Sequence, residues 1–360
     1  MRVKVGGETR DVRTLWREGS TIRLIDQRIL PHTFEITSLM DHRETAAAIK
    51  DMVMRGAGAI GVAAGYGMAQ AALEAKDLPL DEFEVYFTAA AGRLRKTRPT
   101  AANLFHAIDR CLSAGKGASV NERVEAVVTE ADAIAEEDLS ASKKMGEYGS
   151  SLIGDGARVL THCNAGALAF IDYGTALSPI RFAHNQGKKV HVYIDETRPR
   201  CQGARLTAWE MEQEGIPYSL IVDNAAGYFL RKGEVDLVIV GADRVAANGD
   251  VANKIGTYEK AVVAKENGIP FYVAAPRMTF DLKCENGDDV EIEERDHDEV
   301  RKMWGVDEKG NAVRVLISES EATVRNPAFD VTPSKYVTAF ITEEGILEPP
   351  FKERIRRTFE

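Results

Sequence analysis

Apolar and polar positions fall into short alternating blocks along the second half of the chain. Five runs rich in β-branched residues have the length of buried strands: ARVLT from Ala157, KVHVYID from Lys189, YSLIV from Tyr218, VDLVIV from Val235 and FYVAA from Phe271. Segments with helical spacing, residues 204–214 and 253–267, lie between them. This half therefore reads as alternating strand–helix units around a mostly parallel sheet. Several of the strands run straight into polar residues: Cys163 after the first, DETRPRCQG with Gln202 after the second, and GADRVAANGDVANKIGTYEK with Asp243, Asn253 and Lys254 after the fourth. In open α/β sheets ligands bind at that edge. The pattern predicts that Asn253 and Lys254 open the following helix.

The first half has another texture. A short β-like opening at 2–5 and 21–24 gives way to helical patterns over 44–54, 61–74, 81–96 and 101–112. A long polar–apolar pattern over 121–148 can bridge the halves. At 360 residues the chain exceeds one usual domain. We expect a boundary near the GDGAR turn, with a mainly helical domain over 1–150 and a sheet domain over 151–360. The acidic stretch 285–299 reads as a solvated loop.

Composition narrows the class. The chain is 44% hydrophobic and 28% charged, which is ordinary for a globular protein with an ample core. Its 46 Lys and Arg against 56 Asp and Glu give a formal net charge of −10, and no long basic run argues for nucleic acid as a partner. No apolar run reaches the roughly 18 residues of a membrane span, and MRVKVGGETRDV has no signal-peptide core. These features predict a cytoplasmic protein with no membrane partner. Four scattered cysteines without a CxxC pair read as reduced thiols. Seven histidines without an HExxH or an i, i+4 pair give no spacing for a bound metal.

Gly56, Gly58 and Gly61 in RGAGAIG match the dinucleotide fingerprint G-x-G-x-x-G, but the residues before them read as a helix rather than a strand. Nicotinamide binding is therefore not expected. What remains is a glycine turn opening a helix beside Arg55, suited to an anion such as phosphate. Arg98 in TRPTAANL, Gln202 and Lys254 add donors of the kind a sugar phosphate needs. Taken singly, each has a plain alternative as a cap, a surface residue or a packing position. Cys163 is by itself a small buried hydrophobe, and Asp243 pairs locally with Arg244.

Six motifs in order, RGAGAIG, RPTAANL, LTHCNAGALA, DETRPRCQGARLTAWE, GADRVAANGDVANKIGT and NPAFDVTP, resemble the methylthioribose-1-phosphate isomerase family. That family is related to ribose-1,5-bisphosphate isomerases and to the regulatory subunits of translation initiation factor 2B. The resemblance runs from IRLIDQRILP to FDVTPSKYVTAFITEEGI, nearly the whole chain. It implies a small mainly helical amino-terminal domain joined to a Rossmann-like carboxy-terminal domain, commonly as a homodimer. It also implies an aldose–ketose isomerase of methionine salvage that needs neither cofactor nor metal and converts 5-methylthioribose 1-phosphate to 5-methylthioribulose 1-phosphate. On the matching positions, Cys163 and Asp243 become the catalytic pair, and Arg55, Gly56, Ala57, Arg98, Gln202, Asn253 and Lys254 become substrate contacts.

The chemistry accounts for these types. A sugar phosphorylated at C1 is locked as a cyclic acetal, so ring opening needs an acid at the ring oxygen, the role of Asp243. To donate near neutral pH, Asp243 needs a dry pocket that raises its pKa or a relay that supplies its proton. Hydrogen must then move from C2 to C1, either as a proton taken by the Cys163 thiolate or as a hydride shift that Cys163 stabilises. Asp195, Glu196 and Arg198 read as braces of the site. Gly58, Ala165, Phe170, Ala225, Tyr228 and Phe229 depart from the RGAPAIG, CNTGALAT and DNMAGHLM expected of the closest members. They leave 5-deoxyribose 1-phosphate and ribose 1,5-bisphosphate as alternative substrates, and a non-catalytic regulatory protein as the alternative class.

Overall fold

The structure is a computed structural model that describes residues 1–99 and 101–360; Thr100 of the RPTAANL motif lies outside it. The chain divides into two compact units, Met1–Ser142 with Ala167–Gly174, and Lys143–Gly166 with Thr175–Glu360.

The first unit opens with the hairpin Arg2–Val5 and Glu8–Asp11, then an antiparallel sheet of Leu15–Glu18, Thr21–Ile25 and Ile36–Leu39. Only two of these five strands show in the hydrophobic pattern. Glu8–Asp11, for instance, is polar and exposed throughout and is a strand because its hairpin partner holds it. Helices His42–Lys50, Ala57–Glu74, Leu80–Arg95 and Ala102–Ala114 follow, and a long helix spans Val120–Gly149. The expected helix over 44–54 stops at Lys50, because Asp51 ends it and Met52 turns left-handed at φ 55°. Every residue from Gly58 to Ala72 is buried, so Ala57–Glu74 is the axis of this unit. Its small residues let neighbours approach closely; Gly61 faces Asn103 at the start of Ala102–Ala114.

The second unit is built on a seven-stranded sheet ordered Gly345–Leu347, Ala339–Thr342, Phe271–Ala274, Leu237–Val240, Ala157–Thr161, Val190–Asp195 and Tyr218–Ile221. All neighbours are parallel except the edge pair Ala339–Thr342 and Gly345–Leu347. The chain starts in the middle with Ala157–Thr161, steps outward through two strands, then returns to Leu237–Val240 and steps outward the other way. This is the doubly wound Rossmann order, and its switch point lies between Ala157–Thr161 and Leu237–Val240. The strands that carry Cys163 and Asp243 are those two.

A four-stranded side sheet follows the order Phe280–Asp281, Arg244–Ala246, Val251–Lys254 and Phe329–Thr332. It corrects one expectation: Asn253 and Lys254 end a strand, and the next helix, Thr257–Glu266, begins only after Gly256 turns at φ 101°. The pairing that makes them a strand comes from Phe329–Thr332, more than seventy residues on, so no local pattern reveals it. The acidic stretch is mainly loop of mixed exposure, running into a short helix Asp298–Arg301. Among the described residues, no helix is long and apolar enough to cross a membrane.

Candidate active site

Cys163 lies two residues beyond the central strand Ala157–Thr161, at φ 65°. That left-handed conformation is uncommon for a residue with a side chain. Both backbone groups of Cys163 are held: its N–H donates to Thr197 Oγ1 at 2.8 Å, and its carbonyl accepts from Thr207 Oγ1 at 2.7 Å. Cys163 is half-buried, whereas Cys111, Cys201 and Cys284 are buried. Burial pushes the Cys111 thiol up to about 12 and raises the Cys201 and Cys284 thiols as well. Cys163 is thus the least buried of the four cysteines.

Beneath it sits a buried polar brace. His162 Nδ1 lies 3.1 Å from Asp195 Oδ2 and its Nε2 lies 2.8 Å from the Ile255 carbonyl, tying the Cys163 loop to the segment that follows Lys254. Lys260 Nζ is 3.3 Å from the same Asp195 oxygen and 2.7 Å from Glu259. Desolvation pushes the Asp195 carboxyl up, against the pull of His162 and Lys260. Burial works to lower the Lys260 ammonium, but Asp195 and Glu259 outweigh it and the net shift is upward. His162, Asp195 and Asp223 bring ligand atoms within 4.8 Å of one another. The fixed Lys260 ammonium already answers the Asp195 charge there, so this cluster is a brace rather than a cation site. Arg198 serves the fold similarly, with its guanidinium on the Pro199 and Val300 carbonyls at 2.6 and 2.8 Å.

Lys254 is buried with its Nζ 2.7 Å from the Ala328 carbonyl and 4.4 Å from the centre of the Phe329 ring. Its pKa falls to about 8, first through burial and next through Arg295; the charges of Cys163 and Asp243 act the other way. Lys254 therefore shares an electrostatic neighbourhood with both residues of the expected catalytic pair. Arg295 comes from the stretch read as a solvated loop, yet its side chain is only 11% exposed and its Cζ lies 5.4 Å from the same Phe329 ring. The acidic composition of that stretch conceals its one inward-facing cation. Asn253 is buried and donates to Thr257 Oγ1 at 3.0 Å. Gln202 is buried, and its Oε1 has no hydrogen-bond partner among the described residues. Asp243 is exposed and its N–H donates to the Ala252 carbonyl at 3.0 Å.

The remaining expected contacts belong to the first unit. Gly56 caps the Ala57–Glu74 helix at φ 102°, with no side-chain cap and no acid in the first turn, and a Cβ there would overlap Ala169. Arg55 precedes this turn and is half-buried. Arg98 stands in the turn before Ala102–Ala114, where the Ala101 N–H donates to its carbonyl at 3.1 Å. Two helix N-termini, each preceded by an arginine, are attractive to anions. Gly58 packs beneath the Phe170 ring and the Asp138 carboxyl, leaving no room for a Cβ. These two departures from the family pattern are therefore partners in one packing arrangement. Burial raises Asp138 to about 7, opposed by the hydrogen bond from the Ile171 N–H. Sequence reasoning missed Thr197, Thr207, His162, Lys260 and Arg295; Thr197 and Thr207 lay inside a quoted motif but carried no chemical signal of their own.

A Rossmann-type sheet with a half-buried thiol and an acid at its switch point defines the class of protein: a small-molecule site on an α/β frame. The chain belongs to the initiation factor 2 subunit family, whose model matches residues 53–349. Within that family it is similar to methylthioribose-1-phosphate isomerase 1 of Pseudothermotoga lettingae, 50% identical over 96% of this chain and 98% of the relative. It is similar also to the methylthioribose-1-phosphate isomerase of Acetivibrio thermocellus, 48% identical over 93% and 96%. Among solved structures, 5-methylthioribose 1-phosphate isomerase from Pyrococcus horikoshii superposes with a TM-score of 0.90 at 43% identity over 97% and 96% of the two chains. A protein described as translation initiation factor eIF-2B subunit delta from A. fulgidus superposes with a TM-score of 0.86 at 45% identity over 97% and 99%.

Proposed function

We propose that this chain isomerises 5-methylthioribose 1-phosphate to 5-methylthioribulose 1-phosphate, a step of methionine salvage. The observation that carries the reading is the near-full-length identity of about half to proteins named for that reaction. The placement of Cys163 and Asp243 at the two sides of the switch point supports their roles. Asp243 protonates the ring oxygen as the C1 acetal opens. Cys163 acts at C2, from which hydrogen moves to C1, leaving a ketone at C2 and the phosphate on C1. Arg55, the backbone amides of Gly56 and Ala57, Arg98, Gln202 and Lys254 are the contacts we assign to its phosphate, and Asn253 is a further substrate contact. We place the enzyme in the cytoplasm as a homodimer, in keeping with the family it resembles.

The test is direct conversion: purified protein with 5-methylthioribose 1-phosphate, followed by NMR for a ketose 1-phosphate. A second reading, a non-catalytic regulatory protein, rests on the similarity to the A. fulgidus protein described as an initiation factor subunit. Binding of the sugar phosphate without ketose formation would select that reading.

A further inference from the structure

Three residues with side chains hold left-handed backbone conformations around the thiol: Cys163 at φ 65°, Thr197 at φ 63° and Cys201 at φ 56°. Thr197 is β-branched and fully buried, where such a φ is a genuine outlier that surrounding contacts must enforce. Those contacts are present. Asp223 accepts from the N–H groups of Thr197 and Arg198, both at 2.7 Å, and the Thr197 carbonyl accepts from the Cys201 N–H at 2.8 Å. The Thr197 hydroxyl donates its proton to the Asp195 carbonyl at 3.1 Å, which leaves its oxygen to accept from Cys163 N–H at 2.8 Å. Thr207 closes the other side by donating to the Cys163 carbonyl at 2.7 Å, and itself accepts from Asn164 Nδ2 at 3.1 Å.

We infer that Thr197 is a positioning residue for the reaction: its hydroxyl fixes the Cys163 peptide in the left-handed conformation that aims the thiol, and its carbonyl fixes the turn that carries Gln202. The inference rests on the proposed role of Cys163. With its N–H given to Thr197, Cys163 has no backbone donor left for an oxyanion, and it acts through its sulfur. Small misplacements of a reacting group are costly in rate because near-attack geometry is narrow.

The test compares Thr197→Val, which keeps the shape and removes the hydroxyl, with Thr197→Ser, which keeps the hydroxyl. In the valine variant a buried N–H loses its acceptor, so kcat for 5-methylthioribose 1-phosphate should fall by about tenfold or more while KM stays within about threefold. The pH profile of Cys163 alkylation by iodoacetamide, read by mass spectrometry of the intact fold, should shift in the valine variant. The serine variant should restore both readouts. Native kcat and an unchanged alkylation profile in Thr197→Val would overturn the inference, as would a serine variant as impaired as the valine one. If Cys163→Ser keeps native turnover, the role of Cys163 falls instead; the alkylation comparison, which needs no turnover, still decides whether Thr197 sets the thiol.

Discussion

Cys163 and Asp243 differ from other residues of their kinds in where the fold puts them. Cys163 is the half-buried cysteine beside three buried ones, and Asp243 lies three residues beyond the strand on the far side of the switch point. Cys163→Ser and Asp243→Asn should each lower kcat by at least about a hundredfold, the low end for acid–base groups, with ligand affinity retained. Near-native turnover in either variant would remove that residue from the mechanism. Lys254 makes a prediction in pH. With its pKa at about 8, it is an ammonium below that pH and neutral above it. Anion affinity should therefore be full at pH 7 and weaken as pH rises through about 8. Titrating sulfate, whose charge is constant over the range, by calorimetry from pH 7 to 9.5 tests this, and the Lys254→Met variant should bind about tenfold more weakly at pH 7 and lose the pH dependence. A flat profile in the native protein would place Lys254 outside the anion site.

At the scale of elements, the glycine turn before Ala57–Glu74 is an exacting join. Gly56 combines φ 102° with backbone contact to Ala169, so Gly56→Ala meets both conformational strain and overlap. It should lower stability by at least about 2 kcal/mol in urea unfolding; an unchanged midpoint would mean that the turn yields easily. Much of the element pattern was legible in the chain. The five parallel strands of the second half and the five helices of the first stand out because each is specified by its own hydrophobic period. Elements without a hydrophobic period of their own did not stand out: Asn253 and Lys254 are held in a strand by Phe329–Thr332, far along the chain, and the polar Glu8–Asp11 is held by its hairpin partner Arg2–Val5. For the same reason the site positions were legible as strand ends, and Asp195 as a brace, but the buried network that Asp195 forms with His162 and Lys260 was not. Its members come from three elements and meet only when the sheet closes.

The whole molecule shares one frame with relatives that carry different names, so the frame does not decide what it does. Substrate choice at C5 follows from the sugar's own chemistry. Burying a methylthio group instead of a methyl is worth about 1–3 kcal/mol, so 5-deoxyribose 1-phosphate should be turned over with kcat/KM lower by tens- to a few hundredfold. Ribose 1,5-bisphosphate should be much poorer, because its second phosphate needs cations beyond those assigned to the first. Arg295, beside Lys254, is the cation that would reverse this order, and a preference for the bisphosphate lost in Arg295→Met would show it. The central claim is isomerisation, and one measurement tests it most directly. Metal-chelated protein is incubated with 5-methylthioribose 1-phosphate and the carbon NMR spectrum is followed. The account predicts a growing C2 ketone resonance with the phosphate retained on C1, absent in the Cys163→Ser, Asp243→Asn double variant. A spectrum in which the bound sugar stays cyclic, or in which the double variant forms ketose at the native rate, would contradict it.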